Sequence, residues 1–302
     1  MSGGGGFRGY SSGNIKAKIS ETSNNSQATQ REIEVNEFLE SLLKEFNNRD
    51  VEAIKTHLNE IEKALLKEIE GVEKILFGGS VLKNTFIEGT SDVDALVFLN
   101  SDKYKNISPK KLQDIFVKLL KERFPRTEIV KGNLAVTIKF SDYEIQLLPA
   151  LKANNKVKIA NRTGTDWSTP INTSAFTQKL TKVNQANSNK VVPVIKLVKN
   201  MFEKLPKEYK LSGYHVEALA VEAFANYNDK YTLYDMTRHL LNYSVKRVLN
   251  PMHDVTGQSG TIDDCFGPSK SLNRQTLSHY IKDIEGRFSS MKSTSLVTEL
   301  FT

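Results

Sequence analysis

The chain has 302 residues, 39% of them hydrophobic and 25% charged, which is enough for one large domain or two with real cores. No apolar run approaches the length that spans a bilayer, no signal peptide opens the chain, and the single cysteine, Cys265, excludes an intramolecular disulfide. A cytoplasmic protein with no membrane partner is therefore expected. The net charge of +7 favours polyanionic partners such as nucleotides or nucleic acid, or else serves solubility.

Residues 1–28 are rich in Gly, Ser and Asn, too polar to offset ordering entropy, and read as a flexible tail. From about Gln30 the period turns helical, with one apolar stripe formed by Val35, Phe38, Leu39, Leu42, Leu43 and Phe46. Asn47 to Asp50 break that helix, and Asp50 can cap a second one carrying Ile54, Leu58, Ile61, Leu65 and Ile69, which Gly71 ends. The runs "KILFGG", "DVDALVFL", "LAVTIKF" and "YEIQLLPAL" read as strands. Between the second and third lies a helix that Ser108 and Pro109 open. Residues 152–175 read as a long polar loop anchored by Trp167, and five helices follow from about Ser174. This order predicts an α+β fold: a mixed sheet with helices, then a helical second lobe, and a cleft between them.

In "FGGSVLKNTFIEGTSDVDALVFL" two aspartates enter an apolar strand. Asp92 and Asp94 project to one face of it, where two ionised carboxylates repel unless cations sit between them. A pair of Mg²⁺ ions satisfies them, and two such ions are what phosphoryl transfer uses. Upstream, Gly79 lets the backbone approach a phosphate, and Ser80 offers N–H and O–H to it. A helix starting near Val81 would aim its positive end at the same place.

These motifs resemble the core of the polymerase-β-like nucleotidyltransferases, which share h-G-G-S, a spacer and D-h-D. "VIKLVKNMFEKLPKEYKLSGYHVEALAVEAF" resembles the helical domain of oligoadenylate synthetases and cyclic GMP-AMP synthases. "MHDVTGQSGTIDDCFGPSKS" resembles their later D-P-T-G segment. The similarity runs from about Val35 to Phe288 and is strongest to the bacterial oligonucleotide cyclases of anti-phage CBASS operons. It implies a nucleotidyltransferase core over 29–173, including the N-terminal helices, and an oligoadenylate-synthetase-like helical domain over 174–302. It also implies joining of NTPs, ATP among them, into a cyclic di- or trinucleotide with Mg²⁺ (or Mn²⁺) as cofactor. The product would act on a co-encoded effector.

Such enzymes usually place a third acid three residues before a "P-A"; here that position is Gln146, with Glu144 on the same face of the strand. A glutamine amide oxygen ligates Mg²⁺ weakly and takes no proton. Either Glu144 completes the metal site, or two acids suffice and water carries the proton, or the site is silent. By resemblance Lys199 contacts the triphosphate and Tyr214 stacks on the donor base. Ser212 opens the same helix as Tyr214, where free N–H groups meet phosphate. Lys196 reads as structural or solvated. His215 reads as a polar core residue, and the segment Asp254, Thr256, Gln258, Asp263, Asp264 as a hydrogen-bonded clamp on the last helix. The scattered histidines and one cysteine predict no structural zinc.

Lysines at 103, 105, 110, 111, 152, 156, 158, 204, 207 and 210 suggest a basic face for structured or double-stranded RNA, which would act as activator by population shift. Two other functions remain open on the sequence: a linear oligonucleotide or RNA-tailing transferase, and a catalytically silent RNA-binding module.

Overall fold

The computed structural model describes residues 30–47, 51–77, 83, 85, 93–141, 143–153, 156–161, 163–172, 174–258, 260–290 and 299–301. The expected tail and the expected cap at Asp50 lie outside them, as do Gly79, Ser80 and Asp92. The elements are α1 (30–47), α2 (Val51–Glu68), β1 (Val72–Phe77), β2 (Val93–Leu99), the single turn α3 (Ser101–Tyr104), α4 (Pro109–Arg123), β3 (Glu128–Lys131), β4 (Val136–Lys139), β5 (Glu144–Ala153) and β6 (Lys156–Ile159). The helical half holds α5 (Ala175–Ala186), α6 (Val191–Phe202), α7 (Gly213–Ala223), α8 (Leu233–Arg247) and α9 (Leu272–Ser289). Among the described residues no helix is long and apolar enough to cross a membrane.

The strands form one mixed sheet in the order β1-β2-β5-β4-β3, with β6 paired to the far end of β5. β2 and β5 run parallel; every other pairing is antiparallel. Ala95, Val97 and Leu99 alternate onto one face with Ile145, Leu147, Leu151, Val136 and Ile138, and α2 and α4 cover them with Leu58, Ile61, Leu65, Leu112, Phe116 and Leu120. Truncating any of the buried leucines, isoleucines or Phe116 among them to alanine would cost about 2–5 kcal/mol. α4 starts as expected, with the Ser108 hydroxyl accepting from the Lys111 N–H. Gly71, which follows α2, sits at φ +92°, and an added Cβ would meet the Tyr104 ring at 3.0 Å.

Two expectations need correction. Residues 152–175 are not one loop: β6 lies within them, and backbone bridges tie Val157 to Ile171 and Ala160 to Trp167. The Trp167 indole N–H donates to the Ile107 carbonyl at 3.0 Å, so it does serve as anchor. And α1 does not pack with the sheet. Its Val35, Leu39, Leu43 and Phe46 are buried in the core of the helical lobe, with Val194, Val198, Leu219 and Leu240. An apolar stripe says that a helix is covered, not by which partner.

α6 and α7 are central to that lobe and buried nearly all round, which accounts for their almost continuous apolar sequence. The exceptions on them, Lys196, Lys199, His215 and Glu217, are charged or polar groups under cover, and each needs a partner.

Candidate active site

The face of the sheet turned away from α2 and α4 carries a polar row. Asp94 of β2 stands opposite Gln146 of β5, and Gln146 stands opposite Thr137 of β4. All three are half-buried and share this face, because their neighbours Ala95, Ile145, Leu147, Val136 and Ile138 are in the core. Further along the same face the strands turn apolar, with Leu76, Leu96, Phe98, Ala150, Val157 and Ile159 in contact.

Glu144 shares the face but sits opposite Lys139, not Asp94. Lys139 is ion-paired with Glu128 at 3.1 Å, and its pKa is raised by that bond, with a smaller pull from Glu144. Of the two candidates for the third position, Gln146 is therefore the register neighbour of Asp94, and Glu144 belongs to a lysine–glutamate row.

The helical lobe approaches through α6 and α7. The Lys199 ammonium, 3% exposed, donates to Glu217 Oε1 at 2.8 Å and to the Thr85 carbonyl at 3.2 Å. Burial lowers its pKa, while Glu217 and, from the sheet, Asp94 act in the opposite direction. Glu217 also receives the Lys83 ammonium and the Thr85 hydroxyl. Burial alone would raise the Glu217 carboxyl, but Lys199 and Lys83 hold it below the usual carboxylate range. Gly213 leaves little space beside this cluster: a Cβ there would stand 3.1 Å from Lys199 Nζ.

Ser212 caps α7, its hydroxyl accepting from the His215 N–H at 3.2 Å. Tyr214 lies one turn before Glu217. Its ring is 4.6 Å from that of Phe176, and Lys83 lies 4.9 Å above Phe176. Its hydroxyl donates to Asp254 at 2.5 Å, and burial with that carboxylate raises its pKa well above the usual value. Tyr214, Phe176 and Asp254 line a cavity of about 560 Å³ whose other wall is Ile159, Asn161, Ser168 and Thr169 from the β6 side. The volume is in the range of small-molecule sites.

The clamp segment is a closed set of bonds. Asp254 accepts from the N–H groups of Thr256 and Gln258 and from the Thr256 hydroxyl. The Gln258 side-chain amide pairs with the backbone of Asn172. Asp263, 1% exposed, takes two nitrogens of Arg274 on α9, at 2.7 and 3.1 Å, and the Met252 N–H. His215 packs beside this pair, and burial pushes its pKa down to about 4, so it is neutral at pH 7. Lys196 is bonded to Asn47 of α1 at 2.6 Å; burial and nearby Lys199 lower its pKa.

Asp94, Lys199, Tyr214 and Ser212 thus converge on the seam between sheet and helical lobe. Sequence reasoning missed Glu217, Phe176, Lys83 and Arg274. The signal for Glu217 was present: an acid inside "HVEALAV", set among apolar residues. Asp94 and Gln146 offer hard oxygen donors, the type Mg²⁺ takes, and Mg²⁺ commonly uses one or two carboxylates plus substrate phosphates. Among the described residues no group of three or more His, Cys, Asp or Glu could hold a metal ion.

The mixed sheet joined to a helical lobe is the α+β fold of the polymerase-β-like nucleotidyltransferases. Residues 30–184 match the Second Messenger Oligonucleotide or Dinucleotide Synthetase domain, SMODS, and the chain belongs to that family. No curated protein matches the sequence. Among solved structures it is similar to Escherichia coli MS115-1 CdnC with ATP, at 13% identity and a TM-score of 0.62, covering 86% of this chain and 91% of that one. A STING-associated CdnE c-di-GMP synthase from Capnocytophaga granulosa aligns at 20% identity, TM-score 0.59, covering 82% and 83%. Escherichia coli DncV in its 3'-deoxy GTP bound form aligns at 11%, TM-score 0.60, covering 97% and 90%. The family membership makes this chain a nucleotidyltransferase of the cyclic oligonucleotide synthase class.

Proposed function

We propose that the chain joins NTPs, two or three at a time, into a cyclic oligonucleotide that signals to an effector in anti-phage defence. The observation that carries the reading is the pairing of Asp94 with Gln146 on the open face, with Lys199 electrostatically linked to Asp94 from the other lobe. In this reading Asp94, together with Asp92, holds Mg²⁺, and Gln146 contributes its amide oxygen. The ion, when bound, neutralises triphosphate charge and activates the attacking hydroxyl. Gly79 and Ser80 receive phosphate, Ser212 and the N-terminus of α7 add N–H donors, and Lys199 adds positive charge. Tyr214 presents its ring to a base in the cavity beside Phe176, with its hydroxyl fixed by Asp254. RNA is proposed as activator through the lysines of the β5–β6 hairpin, with Lys156 and Lys158 on one face and Lys152 on the other.

The test is turnover of labelled ATP, GTP, CTP and UTP by purified protein with Mg²⁺ or Mn²⁺, with and without structured RNA. Asp94→Ala serves as blank. A phosphatase-resistant product that the blank lacks is expected. Phosphatase-sensitive ladders would make the protein a linear polymerase. RNA binding without any product would make it a silent binding module. Activity unchanged by RNA would remove the activator from the reading.

A further inference from the structure

Lys83 and Thr85 follow Ser80 closely in the chain, between the Gly-Gly-Ser turn and the aspartate strand. Both hand their polar groups to one carboxylate of the helical lobe, Glu217 on α7. Lys199 of α6 closes the set by reaching both Glu217 and the Thr85 carbonyl and hydroxyl, at 2.8, 3.2 and 3.4 Å. Thr85 is fully buried and Glu217 is 1% exposed, so water cannot stand in for these bonds. Two ammonium groups share one carboxylate, which leaves the cluster cationic.

We infer that Glu217 is a positioning residue for nucleotidyl transfer: it anchors the segment after the Gly-Gly-Ser turn to the helical lobe and orients Lys83 and Lys199 towards the triphosphate. The inference rests on the reading of the site given above. Its physical basis is reach. Among the described residues, Glu217 touches both Lys83 and Thr85 of the sheet lobe and Lys199 of α6. It therefore ties the placement of α7, which also carries Tyr214, to that of Lys83 and Thr85. Lys83 adds a second link, because it lies over the Phe176 ring that Tyr214 packs against.

The experiment compares the full chain with Glu217→Gln, Lys83→Met and their double variant. Two quantities are read: kcat and KM with ATP and GTP, and deuterium exchange by peptide. Glu217→Gln is expected to speed exchange at least tenfold in the peptide holding Lys83 and Thr85, and to leave peptides from β5 and α8 unchanged. Its kcat/KM should fall at least tenfold, and the double variant should lose clearly less than the sum of the two singles, since the Lys83–Glu217 bond is lost in both. Lys83→Met, which leaves Lys199 on Glu217, guards against a Glu217 variant that fails to fold. Unchanged exchange in that peptide, an equal rise everywhere, or kcat/KM within twofold of an active wild type would overturn the inference alone. A wild type that releases no pyrophosphate from any NTP would overturn the reading of the site, and with it the part given to Glu217 in turnover.

Discussion

The buried Asp263–Arg274 pair holds α9 against the segment that carries Asp254, and both side chains have 0% exposure. Arg274 uses its remaining donors on the carbonyls of Gly267, Val248 and Asn250, at 2.8, 3.1 and 3.2 Å. Asp263→Asn keeps the acceptor for the Met252 N–H but turns an amide towards a guanidinium, and the buried cation loses its counter-charge. Removing one partner of such a pair costs about 3–5 kcal/mol, mostly from the charge left behind. The three carbonyls soften that loss, so about 3 kcal/mol is expected for Asp263→Asn. Arg274→Met strands the Asp263 carboxylate beside neutral His215 and should cost about 4 kcal/mol by the same argument. The double variant removes both charges and should fall at least 2 kcal/mol short of the sum of the two. Urea unfolding followed by circular dichroism at pH 7 measures all three. Single-variant losses under about 1 kcal/mol, or additive losses, would refute the claim that this pair fastens the last helix.

Three further outcomes follow from the site. Gln146→Glu places a carboxylate beside Asp94. It should lower the Mg²⁺ concentration for half-maximal turnover about tenfold and destabilise the metal-free protein through like-charge repulsion; an unchanged titration would count against Gln146 as a donor. Gly213→Ala gains up to about 1 kcal/mol of helix propensity but presses a methyl against Lys199. Stability near wild type with kcat/KM reduced several-fold is expected, and full activity would show that Lys199 has room to spare. His215 has a folded pKa of about 4 against 6.5 for a free histidine, so below pH 6.5 the unfolded chain binds a proton that the folded chain refuses. Stability is complete above pH 6.5 and drains as the pH falls towards about 4, by about 3 kcal/mol in total. His215→Met should flatten that limb in pH-dependent urea melts, and an identical acid profile would refute the assignment.

The strands were legible because Ala95, Val97 and Leu99 alternate with site-facing positions, and α4 because Ser108-Pro109 is a strong start signal. The placement of Gln146 beside Asp94 was half legible: spacing gave the face, and the parallel register set Gln146 opposite Asp94. β6 was lost because "KVKI" is short and half polar. Glu217 was lost because its need for cations is met by Lys83 and Lys199, each far from it in sequence. The lobe to which α1 belongs was not readable either, since its stripe fits any apolar surface.

Asp94 and Gln146 lie on adjacent strands of a single sheet, whereas Lys199 and Tyr214 arrive from a different body of the molecule. Hinge motion between the two bodies would leave the first pair untouched and alter its distance to the second. On the proposed reading, ion capture by the sheet donors would be mechanically independent of nucleotide grip by the helical lobe. Evolution can therefore retune nucleotide choice through α6, α7 and the Asp254 loop without disturbing the donors that the sheet fixes.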